Sequence, residues 1–191
     1  MYHIFINDHL DNIDINTSLP ALSEQRRQKA LLYKFEQGRR ECIAAYLLLR
    51  KALQDVYGIY EKPLFDYNKY GKPSIAGHPE IHFNLSHCKE AAICVVGDKA
   101  LGVDVESVSE YDESVARYAM NDEELHIILN APESAMAFTR LWTMKEAAVK
   151  MTGTGLGNRS EIKNLLDKPF CIKTVESKNH KYIYSICQKD N

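Results

Sequence analysis

Two carboxylates stand two residues apart near the middle of the chain, in the stretch 101–106. Apolar and polar residues alternate there, which is the pattern of a β-strand with one buried face. Side chains two apart on a strand share a face, so Asp104 and Glu106 point the same way while Val103 and Val105 enter the core. Paired carboxylates repel unless a cation lies between them, and oxygen ligands of this kind suit Mg²⁺. Taken alone, the stretch is equally compatible with a solvated polar face on an edge strand.

Glu146 and Lys150 form a second candidate pair, in a helix predicted over residues 133–151 that ends at Gly153. They are four residues apart and therefore share one helix face. Without further context this is a surface ion pair worth about 0.3–0.5 kcal/mol.

Ser86 and His87 end a strand predicted over residues 82–87. A serine beside a histidine suggests nucleophilic catalysis, but adjacent strand residues point to opposite faces and cannot pair directly. No G-x-S-x-G sequence surrounds the serine, which argues against a hydrolase triad.

Basic residues cluster in the two helices predicted over residues 18–33 and 36–57. Such residues usually form a solvated face. An Arg pair in the first turn of the second helix could instead bind phosphate, because a helix N-terminus attracts anions. The residues concerned are Arg26, Arg27, Lys29, Arg39 and Arg40.

Other stretches of the sequence predict further strands and one helix start. Residues 91–96 are expected to pair with 101–106 across a Gly-Asp turn, which would bring Ser86, His87, Asp104 and Glu106 toward one region of a sheet. Residues 121–124 have the sequence of a helix capping box. The other predicted strands are 2–6, 64–67, and a closing hairpin of 170–176 with 182–187.

The composition is ordinary for a soluble globular protein of 191 residues, with 45% hydrophobic and 26% charged residues. The net charge of −2 predicts no general attraction to nucleic acid or to acidic membranes. No stretch has the length or apolarity of an export signal or a membrane span. Five cysteines without a C-x-x-C pair favour reduced thiols, and hence a cytoplasmic protein, over a disulfide framework.

Taken together, these features resemble a known family, the 4'-phosphopantetheinyl transferases, and specifically the long, surfactin-synthetase-activating (Sfp) type. Four motifs match and occur in the family's order, and the third and the fourth are fairly specific. The four motifs are Tyr70-Gly71-Lys72-Pro73, Phe83-Asn84-Leu85-Ser86-His87, Gly102-Val103-Asp104-Val105-Glu106, and Trp142-Thr143-Met144-Lys145-Glu146 with Lys150.

The resemblance implies an enzyme that transfers the phosphopantetheine arm of coenzyme A to a serine of an apo acyl or peptidyl carrier protein. The second product is adenosine 3',5'-bisphosphate. The resemblance implies Mg²⁺, with Mn²⁺ as a possible substitute, and coenzyme A as a substrate. Two other functions are open: a Mg²⁺-dependent phosphoesterase or pyrophosphatase acting on a similar substrate, and a non-catalytic module that binds carrier proteins.

The resemblance also assigns roles to individual residues. The metal ligands fall on Asp104, Glu106 and Glu146, and the catalytic residues on Glu146, Lys150 and Asp104, with Glu146 as the first candidate base. The family's helix arginine falls nearest Glu41, a departure from its pattern, and the neighbouring Arg40 is taken in its place. The residues expected to bind coenzyme A are Arg26, Lys29, Arg40, Lys72, Ser86, His87 and Lys150.

The fold that the resemblance implies is an α/β (α+β) chain of two similar lobes related by a pseudo-two-fold axis. Residues 1–99 would form the lobe with the coenzyme A and basic contacts. Residues 100–191 would form the lobe with the metal and transferase motifs, and the active site would lie in the cleft between them. The long type works as a monomer, so a pseudodimeric monomer is expected.

Overall fold

The computed structural model of the chain describes residues 1–155 and 159–189. The strands are β1 (Tyr2–Asn7), β2 (Phe65–Tyr67), β3 (Pro73–Ile75), β4 (His82–His87), β5 (Ala92–Gly97), β6 (Leu101–Ser107), β7 (Phe170–Glu176) and β8 (Tyr182–Lys189). The helices are α1 (Ile15–Ser18), α2 (Glu24–Leu31), α3 (Glu36–Tyr57), α4 (Glu113–Ala119), α5 (Asp122–Asn130), α6 (Ser134–Thr152) and α7 (Arg159–Lys163). Short 3₁₀ turns occur at Leu10–Asn12, Leu19–Ala21 and Leu165–Asp167.

All strand pairs of the described residues are antiparallel, so the chain has a mixed α/β fold with antiparallel sheets. One three-stranded sheet has the order β1-β5-β4, and a second has the order β6-β8-β7. Strands β2 and β3 form a separate hairpin. The predicted strand at the N-terminus and the closing hairpin are both confirmed.

The predicted hairpin between β5 and β6 is wrong. Strand β5 pairs with β1 on one edge and with β4 on the other, so no edge is free for β6. Strand β6 pairs instead with β8, where Asp104 lies opposite Ser185. The Gly-Asp turn after β5 therefore carries the chain from the first sheet into the second.

Along the edge of β6 opposite β8, side chains of β4 accept the backbone hydrogen bonds that a neighbouring strand would otherwise accept. The backbone N–H of Val103 donates to Asn84 Oδ1 at 3.0 Å, and that of Val105 donates to Ser86 Oγ at 3.2 Å. Both acceptor side chains are buried. Because buried N–H groups must find partners, these two bonds fix how the sheets lie next to each other.

Of the three helices predicted with bounds, the one near the N-terminus differs from expectation. The predicted helix over 18–33 is interrupted, because Pro20 stands in a 3₁₀ turn and Ser23 caps the separate helix α2. Helix α3 has its predicted bounds and ends at Gly58, whose φ of 68° suits glycine. The capping box at Asn121 and Glu124 is confirmed.

The valines of β6 enter the core as predicted: Val103 and Val105 are 0% exposed and pack between the two sheets with residues of β5 and β8. The opposite face of β6 is covered by α6, and Asp104 is only 2% exposed. The solvated edge strand considered for this stretch is therefore wrong for Asp104.

All five cysteines are free, as the sequence indicated. Across residues 1–155 and 159–189, the helices are too short or too polar for any of them to cross a membrane.

Gly102 is the point of closest approach between β6 and α6. A Cβ added there would lie 2.1 Å from the carbonyl oxygen of Ala147 and 2.3 Å from the backbone nitrogen of Met151. Only a glycine therefore allows α6 to lie directly on this strand, which brings the Glu146 and Lys150 side chains over Asp104 and Glu106.

We expect Gly102→Ala to lower the free energy of unfolding by about 3 kcal/mol or more, because the clash is with backbone atoms that cannot rotate away. Urea unfolding followed by circular dichroism measures this loss. Gly97→Ala is the matched control in β5, where the added Cβ would meet its nearest atom at 3.0 Å, and we expect a smaller loss there. Equal losses in both variants would contradict the close approach of β6 and α6.

Candidate active site

Asp104, Lys150 and Ser86 form a buried cluster where β4, β6 and α6 meet. Lys150 Nζ lies 2.5 Å from Asp104 Oδ1 and donates to Ser86 Oγ at 3.0 Å. Ser86 Oγ donates to Asp104 Oδ1 at 3.0 Å while it accepts from the backbone of β6. The Asp104 carboxylate is 3% exposed and the Lys150 side chain 30% exposed, so the ion pair is closed on one side and open on the other.

Two further carboxylates are close enough to interact with this pair. Burial, the charge of Asp104 and the charge of Glu146 raise the pKa of Glu106 to about 7, while Lys150 and a hydrogen bond from Trp142 oppose the shift. Burial and Asp104 likewise raise the pKa of Glu146, again against Lys150. Three acids thus share one partly buried region with a single lysine among them, so added positive charge is favoured there.

The donor set suits a hard divalent cation, since it consists of carboxylate oxygens. Asp104 Oδ2 is buried and has no hydrogen-bond partner among the described residues, which leaves one oxygen without compensation. However, the described residues contain no group of three or more His, Cys, Asp or Glu side chains arranged to hold a metal ion. The Lys150 ammonium supplies positive charge beside Asp104.

A cavity of about 290 Å³ opens beside the cluster and carries most of the predicted binding residues. It is lined from the first half of the chain by α2, the β2–β3 turn and β4, and from the second half by the end of α6 and the residues after it. Its basic lining residues are Arg26, Lys29, Lys72, His87 and Lys150. Five basic side chains around one cavity fit a ligand with several negative charges.

Lys72 holds the end of α6 rather than projecting freely into this cavity. Its Nζ donates to the carbonyl oxygen of Met151 at 2.8 Å and to that of Leu101 at 3.3 Å. Asn68 Nδ2 donates to the carbonyl oxygen of Gly153 at 3.1 Å, so the same turn contacts the helix end twice. Burial lowers the pKa of Lys72, which is the expected effect on a desolvated amine.

Arg26 and His87 lie on the side of the cavity formed by α2, α3 and β4. Arg26 is 7% exposed and donates from Nη2 to the carbonyl oxygen of Cys42 at 3.3 Å, while its Nε has no partner among the described residues. His87 Nδ1 lies 3.1 Å from Glu41 Oε2. Burial and the neighbouring Arg26 guanidinium lower the pKa of Lys29.

Arg40 does not join this group. Its Nε donates to the carbonyl oxygen of Ile13 at 3.3 Å and its Nη2 pairs with Glu36 Oε2 at 3.0 Å. It lines a separate cavity formed with the segment before α1 and the start of that helix. Its neighbour Glu41 is the α3 residue that reaches His87.

A second cavity, of about 260 Å³, adjoins Glu106. Its wall contains three aromatic rings: Tyr111 stacks on Phe138 at 4.5 Å between centroids, and Phe138 lies 6.1 Å from Trp142 in a nearly parallel orientation. The acids Glu106, Glu110 and Asp112 also line it. The two cavities thus have opposite charge, which disfavours a phosphate in the aromatic one.

Three contributions to the site were missed from the sequence. Asn84 and Asn68 act through amide groups that bond to backbone atoms of β6 and of the residue after α6, and Glu41 pairs with His87. Asn68 and Glu41 have no periodic or motif signal, and the motif that contains Asn84 does not indicate its contact with β6. The departure from the expected arginine marked the position of Glu41.

Comparison with known proteins bears directly on these residues. The sequence model of the 4'-phosphopantetheinyl transferase superfamily matches residues 100–189, which include β6 and α6. The chain is 30% identical over 140 residues to the 4'-phosphopantetheinyl transferase psf-1 of Bacillus pumilus, covering 72% of this chain and 60% of that protein. It is 29% identical over 159 residues to the 4'-phosphopantetheinyl transferase gsp of Aneurinibacillus migulanus, covering 82% of this chain and 66% of that protein.

The chain thus spans about two thirds of the length of these relatives, or slightly less. It is also 31% identical over 140 residues to the 4'-phosphopantetheinyl transferase AcpT of Salmonella typhimurium, covering 70% of each protein. This match extends well beyond the residues of the superfamily model. On these similarities, the chain belongs to the 4'-phosphopantetheinyl transferase superfamily.

Proposed function

We propose that this chain transfers the 4'-phosphopantetheine arm of coenzyme A to a serine of an apo acyl or peptidyl carrier protein. The products are the holo-carrier and adenosine 3',5'-bisphosphate. The observation that carries this proposal is the basic cavity that ends at the buried Asp104–Lys150 pair, with Glu106 and Glu146 beside it. The names of the relatives support the same reaction.

The proposal extends to the organisation of the chain. Residues 1–99 form one lobe and 100–191 the other, related by a pseudo-two-fold axis, in a monomer of the cytoplasm. Support comes from the two three-stranded sheets, each packed against one long helix, α3 or α6. The basic cavity is lined from both sides of this boundary, as an active site in a cleft between lobes requires.

Mg²⁺, or Mn²⁺ in its place, is part of the proposal, with Asp104, Glu106 and Glu146 as its ligands. Asp104 Oδ2 has no hydrogen-bond partner within residues 1–155 and 159–189, and the pKa values of the other two carboxylates are raised; both observations fit a bound divalent cation. When bound, the metal supplies positive charge that neutralises the pyrophosphate and its leaving phosphate.

The residues of the chain itself perform three tasks. Arg26, Lys29 and His87 hold the nucleotide end of coenzyme A, which converts the attack into a step between positioned groups. Glu146 accepts the hydroxyl proton of the carrier serine while the serine oxygen forms a bond to the β-phosphorus. The raised pKa of Glu146 suits a carboxylate that acts as a base. The bond between this phosphorus and the bridging oxygen breaks, and Lys150 balances the negative charge that develops on the leaving oxygen.

Intact mass spectrometry of an apo carrier protein, incubated with coenzyme A, Mg²⁺ and this chain, tests the proposed reaction. We expect the carrier to gain the mass of one phosphopantetheine group at its serine. Cleavage of coenzyme A without an acceptor would show a phosphoesterase instead. Carrier binding without any change in mass would show a non-catalytic module.

Mg²⁺ is expected to stabilise the wild-type chain and not the Asp104→Asn variant, because the metal binds the folded carboxylates alone. At 100 times its Kd, Mg²⁺ should raise the melting temperature by about 5–10 °C. Differential scanning fluorimetry with and without the metal measures this shift. Asp55→Asn, in an exposed ion pair of α3, is the control and should keep the full shift. A full shift in Asp104→Asn would remove Asp104 from the metal ligands.

Lys150→Ala should reduce kcat about 100-fold, the usual effect of losing one group that stabilises charge in the transition state, with little change in the KM for coenzyme A. Steady-state kinetics separates the two constants. Lys51→Ala, on the exposed face of α3, is the matched control and should behave as the wild type. A rise in KM alone would show that Lys150 only binds the substrate.

A further inference from the structure

The histidine of the basic cavity is paired with an acid. His87 Nδ1 lies 3.1 Å from Glu41 Oε2, and the two side chains are only 23% and 14% exposed. The ring of Tyr33 packs edge-on against His87, with 6.3 Å between the centroids. The Glu41 carboxylate in such a position interacts strongly with any ion bound beside the pair, since little water separates them.

The total charge of this pair limits what His87 can do for an anion. If the imidazole is protonated the pair is neutral, and if it is not the pair carries one negative charge. In neither state does the pair offer net positive charge to a phosphate. Removal of the Glu41 charge would change the total by one positive unit in both states.

His87 and Ser86 mark two different regions of the site, because successive residues of β4 point to opposite faces. Ser86 bonds to Asp104 and Lys150, at the carboxylates. His87 bonds to α3 and lines the cavity with Arg26 and Lys29 of α2. Coenzyme A likewise carries two anionic groups: the pyrophosphate, where the reaction occurs, and the 3'-phosphate of its ribose. The proposed function puts the pyrophosphate at the carboxylates beside Ser86, so the 3'-phosphate lies on the His87 side of the cavity.

The negative charge of Glu41 and the positive charge of Arg26 act on the same two neighbouring groups, Cys42 and Tyr33. Burial raises the pKa of the Cys42 thiol, Arg26 and Lys29 lower it, and Glu41 raises it. For the Tyr33 phenol, Arg26 and Glu41 again act in opposite directions. Glu41 thus offsets part of the positive potential that a phosphate would meet at this side of the cavity.

We infer that Glu41 is a specificity-determining residue, which weakens recognition of the 3'-phosphate and makes 3'-dephospho-coenzyme A a substrate of this chain. The acid does so by occupying His87 and by repelling a phosphate bound beside it. The inference depends on the proposed function for the identity of the substrate. It concerns the relative use of two substrates and not the transfer step itself.

The test compares kcat/KM for coenzyme A and for 3'-dephospho-coenzyme A, with transfer to an apo carrier as the readout. For the wild type, kcat/KM for coenzyme A should exceed that for 3'-dephospho-coenzyme A by no more than about tenfold. A charge-assisted hydrogen bond from the 3'-phosphate to a cation without an acidic neighbour would give a larger preference. In Glu41→Gln the ratio should rise by about a further tenfold, since the amide keeps a hydrogen-bond acceptor for Nδ1 and removes only the charge.

Glu80→Gln is the matched control, because Glu80 pairs with His78 Nδ1 at 3.3 Å on the exposed surface, away from the cavity. We expect its substrate ratio to equal that of the wild type. Glu41→Ala, checked for folding by its melting temperature, provides a second variant without the charge. An unchanged ratio in the folded Glu41 variants would overturn the inference, because Glu41 would then have no effect on recognition of the 3'-phosphate. A lower ratio would also overturn it, because Glu41 would then assist phosphate binding through His87.

Failure of the proposed function is recognised separately. If the wild type transfers from neither substrate, calorimetry with adenosine 3',5'-bisphosphate and adenosine 5'-phosphate replaces the kinetic comparison. The inference then requires that Glu41→Gln increase the affinity for the bisphosphate relative to the monophosphate by about tenfold. Equal effects on both nucleotides, or no binding of either by wild type and variant, would overturn it.

Discussion

The buried hydrogen bonds from β4 to β6 are the interaction on which the rest of the structure depends. Asn84 and Ser86 satisfy two backbone N–H groups of β6 that no strand of the described residues reaches. Ser86 also contacts both Asp104 and Lys150. The contact that joins the two sheets is therefore the contact that orders the polar cluster, and a shift of one sheet relative to the other would move the acids.

The site is also constrained by the high cost of buried charge. Four basic residues of the cavity have protein partners: Lys150 pairs with Asp104, Lys72 with two carbonyl groups, Arg26 with the carbonyl oxygen of Cys42, and His87 with Glu41. Such pairing compensates the desolvation of each polar or charged side chain. An anionic ligand must exchange or share these partners, so its affinity depends on the acids as much as on the basic residues.

The predictions from sequence succeeded where a local pattern had a local cause. Helix α3 followed from its apolar face and from Gly58, and the capping box followed from two side chains three residues apart. The β5–β6 hairpin failed although its turn signal was reasonable, because edge pairing depends on strands distant in the sequence. The motif residues Asp104, Lys150 and His87 and the upstream Arg26 lie in one region, whereas Arg40 does not.

The sequence by itself determined the family, the alternation that buries Val103 and Val105, and the residue types that suit a phosphate-containing ligand. Only the tertiary structure decided that α6 covers the polar face of β6 across Gly102, and that Glu41 rather than Arg40 reaches the cavity histidine. The physical reason is that these contacts join residues about 45 positions apart. Their distances depend on how helices and sheets pack together, which no local pattern of residue types encodes.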